Sequence, residues 1–139
     1  MIAQTLLGRG ERAHDCDLRI IPSAREPISD VHRCKPYVYA QTIAGRDAPT
    51  QREAKNAWLT DTAAWNHVAV IQWILGIRPT FEGLQVTPMI PGHWDGFEAT
   101  RIFRGVTYRI SVDRLGEGKS VRVTVDGQEI QGDVVPLAE

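Results

Sequence analysis

The sequence predicts a mixed α and β fold, with a helical segment over residues 1–79 and a small antiparallel β-sandwich domain over residues 80–139. Three observations lead there. The stretch AKNAWLTDTAAWNHVAVIQWILG, from Ala54 to Gly76, is apolar around most of a 3.6-residue helix. After Pro79 the chain breaks into short β-branched, partly alternating runs separated by Gly, Pro and Asp. Its 139 residues, 42% hydrophobic and 24% charged, match the composition of about one globular domain that can bury a core.

The elements follow in order. Ile2, Leu6 and Leu7 predict a short amphipathic helix ending at Gly8 and Gly10, and ERAHDCDLRI a second one stopped by Pro22. Together they form a helical hairpin with a Gly-Arg-Gly connection. From Pro22 to Pro36 prolines and mixed charges predict a surface excursion. YVYAQTIAG is apolar, but its periodicity does not decide between strand and helix. GRDAPTQREAKN is a polar loop.

A helix is then expected from Thr62 to Leu75, where Asn66, His67 and Gln72 are the polar exceptions among apolar residues pointing in most directions. Such a helix needs cover on nearly all sides, which places it in the inner layer of a larger helical assembly. Trp58, Trp65 and Trp73 are accordingly expected in the core, and His67 as a hydrogen-bonded core histidine. Beyond Pro79, GLQVTP, GFEATRIF, VTYRISVDR, SVRVTVDG and DVVPL read as strands, with FRG and DGQ as hairpin turns. Arg101, Arg104 and Arg109 are expected on the solvated face of a strand pair.

Charge and composition exclude more than they suggest. A net charge of -1 and a sequence pI near 6.4 provide no global field to attract nucleic acid or an anionic membrane. No run approaches the ~20 apolar residues of a membrane span, and MIAQTLLGRGERA lacks the basic and apolar regions of a secretory leader. Cys16 and Cys34 have no CxxC spacing and read as reduced thiols, so a soluble cytoplasmic protein is expected, with no nucleic-acid or membrane partner. His14, His32, His67 and His93 share no metal-ligand spacing, and no metal is expected.

The most chemical feature is the entrance to the apolar helix, WLTDTAAW. Thr60, Asp61 and Thr62 are all good N-caps, and the free N–H groups of a first turn also suit an anion. Simple capping and anion binding both fit.

In this order and spacing, PYVYAQTIAG, KNAWLTDTAAWNHVAVIQWILGIRP, GLQVTPMIP and WDGFEATRIFRGVTYRISV resemble the C-terminal end of glycoside hydrolase family 94, the cellobiose and chitobiose phosphorylases. The resemblance runs from about Met1 to the end and is strongest from Pro36 to Val112. It implies that residues 1–79 are the C-terminal helices of an (α/α) barrel and residues 80–139 the small C-terminal β-domain. It also implies an inverting glycoside phosphorylase: phosphate attacks the anomeric carbon of a β-linked disaccharide and releases an α-sugar 1-phosphate. Inorganic phosphate is then a co-substrate and no other cofactor is implied.

By the same resemblance, the family's phosphate-binding Thr-Gly falls on Thr60 and Asp61, and its sugar-side glutamine on Gln41. The family's catalytic acid lies upstream of these motifs, and Asp30, Asp61 and Asp95 do not match it, so no catalytic residue is assigned. Two positions depart from the pattern. Asp61 replaces glycine and brings a negative charge toward a dianion, and Lys35 stands where the family usually has glutamate. The expectation is a fragment that is inactive by itself, with homodimers common in the family and self-association through the uncovered helix. A non-enzymatic carbohydrate-binding module and a degenerate remnant without ligand are the alternatives.

Overall fold

The computed structural model describes all residues except Pro36, Leu59, Thr60, Glu117, Lys119, Ala138 and Glu139. The chain divides into two compact units, Met1–His14 with Ala69–Glu139, and Asp15–Val68.

In the first unit, helix α1 (Ile2–Leu6) ends where Gly8 takes a φ of 68°. The N–H of Arg9 then reaches the Gln4 carbonyl at 2.8 Å and that of Gly8 reaches Thr5 at 2.8 Å. Both bonds satisfy carbonyls that a helix end leaves free, and the left-handed residue they need is supplied by glycine. Helix α2 (Gly10–Leu18) follows, as the Gly-Arg-Gly connection predicted. A side chain on Gly10 would meet the carbonyls of Met89 and Ile90 at 2.6 and 2.9 Å, so glycine permits this close approach.

The second unit continues through a 3₁₀ segment, Pro22–Ile28, and the single turn α3 (Ser29–His32), whose His32 is buried. Strands β1 (Thr42–Ile43) and β2 (Ala54–Lys55) pair antiparallel. The undecided YVYAQTIAG therefore contributes a two-residue strand, and its partner lies at the end of the expected polar loop. Helix α4 (Thr62–Val68) closes the unit.

The expected helix from Thr62 to Leu75 changes pitch on the way. Ala69–Ile74 is a π-helix, and the Leu75 N–H bonds five residues back to Val70 at 2.8 Å. The π-helix belongs to the first unit, where it packs against α1 and against strand β3 (Ile77–Pro79). Gly76, at φ 72°, makes the corner between helix and strand; its carbonyl accepts the Thr87 N–H at 2.9 Å.

The rest of the first unit is antiparallel sheet. Strands β4 (Gly83–Val86) and, at the chain end, Val134–Pro136 join β3 in a three-stranded sheet with β4 central. Hairpin β5 (Gly96–Phe103) with β6 (Val106–Asp113) and hairpin β7 (Val123–Val125) with β8 (Gln128–Ile130) complete the domain, the Val134–Pro136 strand being β9. Both hairpins turn on two residues at positive φ, Arg104 (50°) with Gly105 (82°) and Asp126 (49°) with Gly127 (83°). That is the mirror-image turn whose twist suits paired strands.

Ile77, Leu84, Val86, Val123 and Val135 form the core, with Phe97, Phe103, Tyr108 and Ile110 packed on it. Arg104 and Arg109 are solvated as expected, whereas Arg101 is half-buried. Among the described residues no helix is long and apolar enough to cross a membrane.

Candidate functional site

The described family-like site positions, Gln41 and Asp61, lie in the second unit, on the stretches of chain that lead into β1 and follow β2. Gln41 precedes β1, and its N–H bonds to the Lys55 carbonyl at 3.2 Å. This places its side chain opposite Asn56, whose amide donates to Gln41 Oε1 at 2.9 Å. Both side chains are exposed, and Asn56 sits at φ 55°, a left-handed conformation that asparagine tolerates better than most residues. Among the described residues no further side-chain bond engages the Gln41 amide hydrogens or the Asn56 side-chain oxygen.

Two residues beyond Asn56, Trp58 is held at φ 77° and is 67% exposed. Its ring meets that of Tyr37 edge to face, with centroids 6.2 Å apart and planes at 68°, and Tyr37 is 68% exposed. Thr60, with Leu59, lies outside the described residues. Asp61 is exposed and stands just ahead of α4, its carbonyl accepting the Trp65 N–H at 3.0 Å. It therefore occupies a capping position, as the sequence suggests for the Thr-Asp-Thr run.

Behind these positions is a buried polar cluster that sequence reasoning missed. Asp17 of α2 and Asn66 of α4 are each 7% exposed, and the phenol of Tyr39, two residues before Gln41, lies between their influences. Burial and then the Asp17 charge raise the Tyr39 pKa above the usual 10.0, while Asn66 draws it back. The Asn66 amide nitrogen approaches the phenol without meeting hydrogen-bond geometry with any described residue. Asn66 looked like one of a few polar exceptions on an apolar helix. It is in fact the residue of α4 that is buried.

Several expectations fail here. Trp58 and Trp65 are each 67% exposed rather than in the core, and His67 is exposed too. Trp73 is half-buried under the Arg78 guanidinium, 4.3 Å from its ring centre. The reason is directional: α4 turns Asn66 inward, so Ala63, Ala64 and Trp65 project to solvent. Lys35 is exposed, and the neighbouring Arg33 pairs with Glu53 at 3.8 Å. No group of three potential metal ligands occurs among the described residues.

Residues 1–76 match the glycosyl hydrolase 94 superfamily, catalytic domain. Residues 77–131 match the glycosyl hydrolase family 65, C-terminal domain. The chain belongs to the glycosyl hydrolase 94 superfamily. It is 41% identical over 140 residues to an N,N'-diacetylchitobiose phosphorylase of Vibrio proteolyticus, covering 99% of this chain and 18% of that protein. It is 34% identical to a solabiose phosphorylase of Paenibacillus borealis, again over 99% of this chain and 18% of the relative. With the N,N'-diacetylchitobiose phosphorylase of Vibrio furnissii it shares 40% over 93% of this chain and 16% of that protein. The chain thus spans under a fifth of the length of these relatives.

Proposed function

We propose that this chain supplies part of the sugar and phosphate pocket of an inverting glycoside phosphorylase, with the general acid coming from outside its 139 residues. In this reading residues 1–79 are the last helices of an (α/α) barrel and residues 80–139 its C-terminal β-domain. Gln41 hydrogen-bonds the sugar on which substitution occurs, and Thr60 with the backbone at Asp61 holds phosphate. Inversion needs one carboxylic acid to protonate the glycosidic oxygen while phosphate attacks from the opposite face. The chain's part is to position the nucleophile and the ring, not to transfer the proton. The observation that carries this reading is that two of the relatives, an N,N'-diacetylchitobiose phosphorylase and a solabiose phosphorylase, align over 99% of the chain.

By the family resemblance, Asp61 stands where a glycine is expected. A carboxylate beside a phosphate dianion opposes binding, and the same side chain can occupy the helix N–H groups that phosphate would use. Phosphate is therefore expected to bind weakly at this pocket, and saccharide recognition to be less affected.

The test is a chimera of the Vibrio proteolyticus phosphorylase in which the segment matched by this chain is replaced by it. Gln41→Ala in that chimera should reduce the release of sugar 1-phosphate at least about tenfold, corresponding to ~1.4 kcal/mol of lost transition-state binding. Thr60→Ala should raise the phosphate requirement by a similar factor. Unchanged kinetics for both substitutions would remove the proposed roles.

A further inference from the structure

We propose that the buried polar cluster of Asp17, Tyr39 and Asn66 is a clamp that fixes the stretch bearing Gln41 against helix α4, with Tyr39 as a positioning residue for both. The clamp itself rests on the geometry; its meaning for catalysis rests on the phosphorylase reading.

Helix α4 needs an anchor. Its seven residues are too few to be stable alone in water, so tertiary contact must hold it. Ala63, Ala64, Trp65 and His67 are exposed, which leaves Thr62, Asn66 and Val68 to make that contact, and of these three Asn66 is the buried one. An apolar side chain would be the ordinary choice there. A carboxamide buried in its place stabilises the fold only where other polar groups meet it. Asn66 Nδ2 makes no well-formed hydrogen bond with a described residue, and the group it approaches is the half-buried phenol of Tyr39.

The same phenol feels the carboxylate of Asp17, 7% exposed near the end of α2. A phenol can accept from an amide and donate to a carboxylate at once. The perturbation of Tyr39 has that order: burial and the Asp17 charge disfavour the phenolate, and the Asn66 amide favours it. Tyr39 stands two residues before Gln41, whose N–H is tied to the Lys55 carbonyl at 3.2 Å. Asn66 stands five residues past Asp61, whose carbonyl accepts the Trp65 N–H at 3.0 Å. The cluster thus links the two stretches that carry the exposed candidate positions, and it does so from beneath them. In the proposed reaction Tyr39 would touch neither sugar nor phosphate and would act through the residues it holds.

The test uses the full chain without ligand and follows amide hydrogen exchange by NMR. Tyr39→Phe keeps the ring and removes the hydroxyl. Exchange at the Gln41 and Trp65 N–H groups should accelerate together, at least about threefold. The Val86 N–H, bonded to Asp133 at 2.8 Å in the first unit, should not change. Asn66→Ala, which removes the amide from the other side of the contact, should have the same paired effect. Unchanged exchange at either amide, or an acceleration that Val86 shares, would overturn the proposal. So would an unaltered chain in which neither amide is protected, since no fixed geometry would then exist to be held. In the Vibrio proteolyticus chimera, Tyr39→Phe should lower kcat/KM for the disaccharide at least about fivefold, and most of that loss should vanish in a Gln41→Ala background. A loss of equal size in both backgrounds would remove the positioning role. An inactive chimera with the paired exchange effect preserved would remove the phosphorylase reading alone, and an active chimera without that effect would remove the clamp alone.

Discussion

Asp61→Gly should strengthen phosphate use by a chimera carrying this segment. The side chain is exposed just ahead of α4, so the electrostatic term takes its water value rather than an interior one. At ~4 Å a pair of like charges in water costs about 1 kcal/mol, and a dianion about twice that before screening by salt. Salt brings the expected gain to ~1.4 kcal/mol, a tenfold lower apparent phosphate constant. Helix stability should change little. The Asp61 carbonyl keeps its bond to the Trp65 N–H in the glycine variant, and a cap changed from Asp to Gly loses only a few tenths of a kcal/mol. Initial rates at fixed disaccharide over a range of phosphate concentrations measure the effect, and the disaccharide constant should move much less. Equal phosphate dependence with Asp or Gly would refute the reasoning and leave Asp61 a helix cap.

Three further outcomes are expected. Leu84, fully buried at the centre of the β-domain, should cost about 2–5 kcal/mol on substitution by alanine, read as a lower denaturation midpoint; a loss under 1 kcal/mol would mean that the core collapses around the gap. Tyr39 has a folded-state pKa raised above its usual 10.0, so its contribution to stability is complete below about pH 10 and is lost as pH rises through the raised value. Melting temperatures from pH 8 to 11 should therefore fall more steeply for the unaltered chain than for Tyr39→Phe, and parallel curves would contradict the burial of this phenol beside Asp17. The chain alone should release no sugar 1-phosphate from cellobiose or N,N'-diacetylchitobiose, and turnover by a pure sample would place a general acid within it.

Much of the fold could be read where short-range chemistry dictates geometry. Gly-Arg-Gly marks the break between α1 and α2 because Gly8 accepts the left-handed end of α1 cheaply. Arg104-Gly105 and Asp126-Gly127 mark hairpins because a two-residue turn between alternating strands needs two positive φ values. YVYAQTIAG was ambiguous because its strand is two residues long and is defined by a partner that begins at Ala54. Nothing in AVIQWI announces a π-helix, since the extra residue per turn reflects how the Val70–Leu75 bond is accommodated, not a side-chain preference.

The candidate site was legible only in part. Gln41 and Asp61 stood out through the motifs around them, whereas Asn56 became visible only when β1 and β2 paired and brought it to Gln41. The tryptophans misled for a physical reason. Apolar residues all round a helix say that the surface favours cover, but periodicity does not say which side receives it, and α4 buries Asn66 while Trp65 stays 67% exposed. Asp17 and Tyr39 lie 22 positions apart, too far for any local pattern to link them.

The most direct test of the account is whether the chimera with the Vibrio proteolyticus phosphorylase turns over at all. Sugar 1-phosphate released from N,N'-diacetylchitobiose is measured at high phosphate, where the Asp61 penalty is overcome, and proton NMR identifies the first-formed anomer. The account predicts turnover with an α-configured product, weak at low phosphate and restored toward the parent by Asp61→Gly. A correctly folded chimera that produces none at any phosphate concentration, with Asp or with Gly at position 61, would contradict the claim that this chain carries a usable part of a phosphorylase pocket.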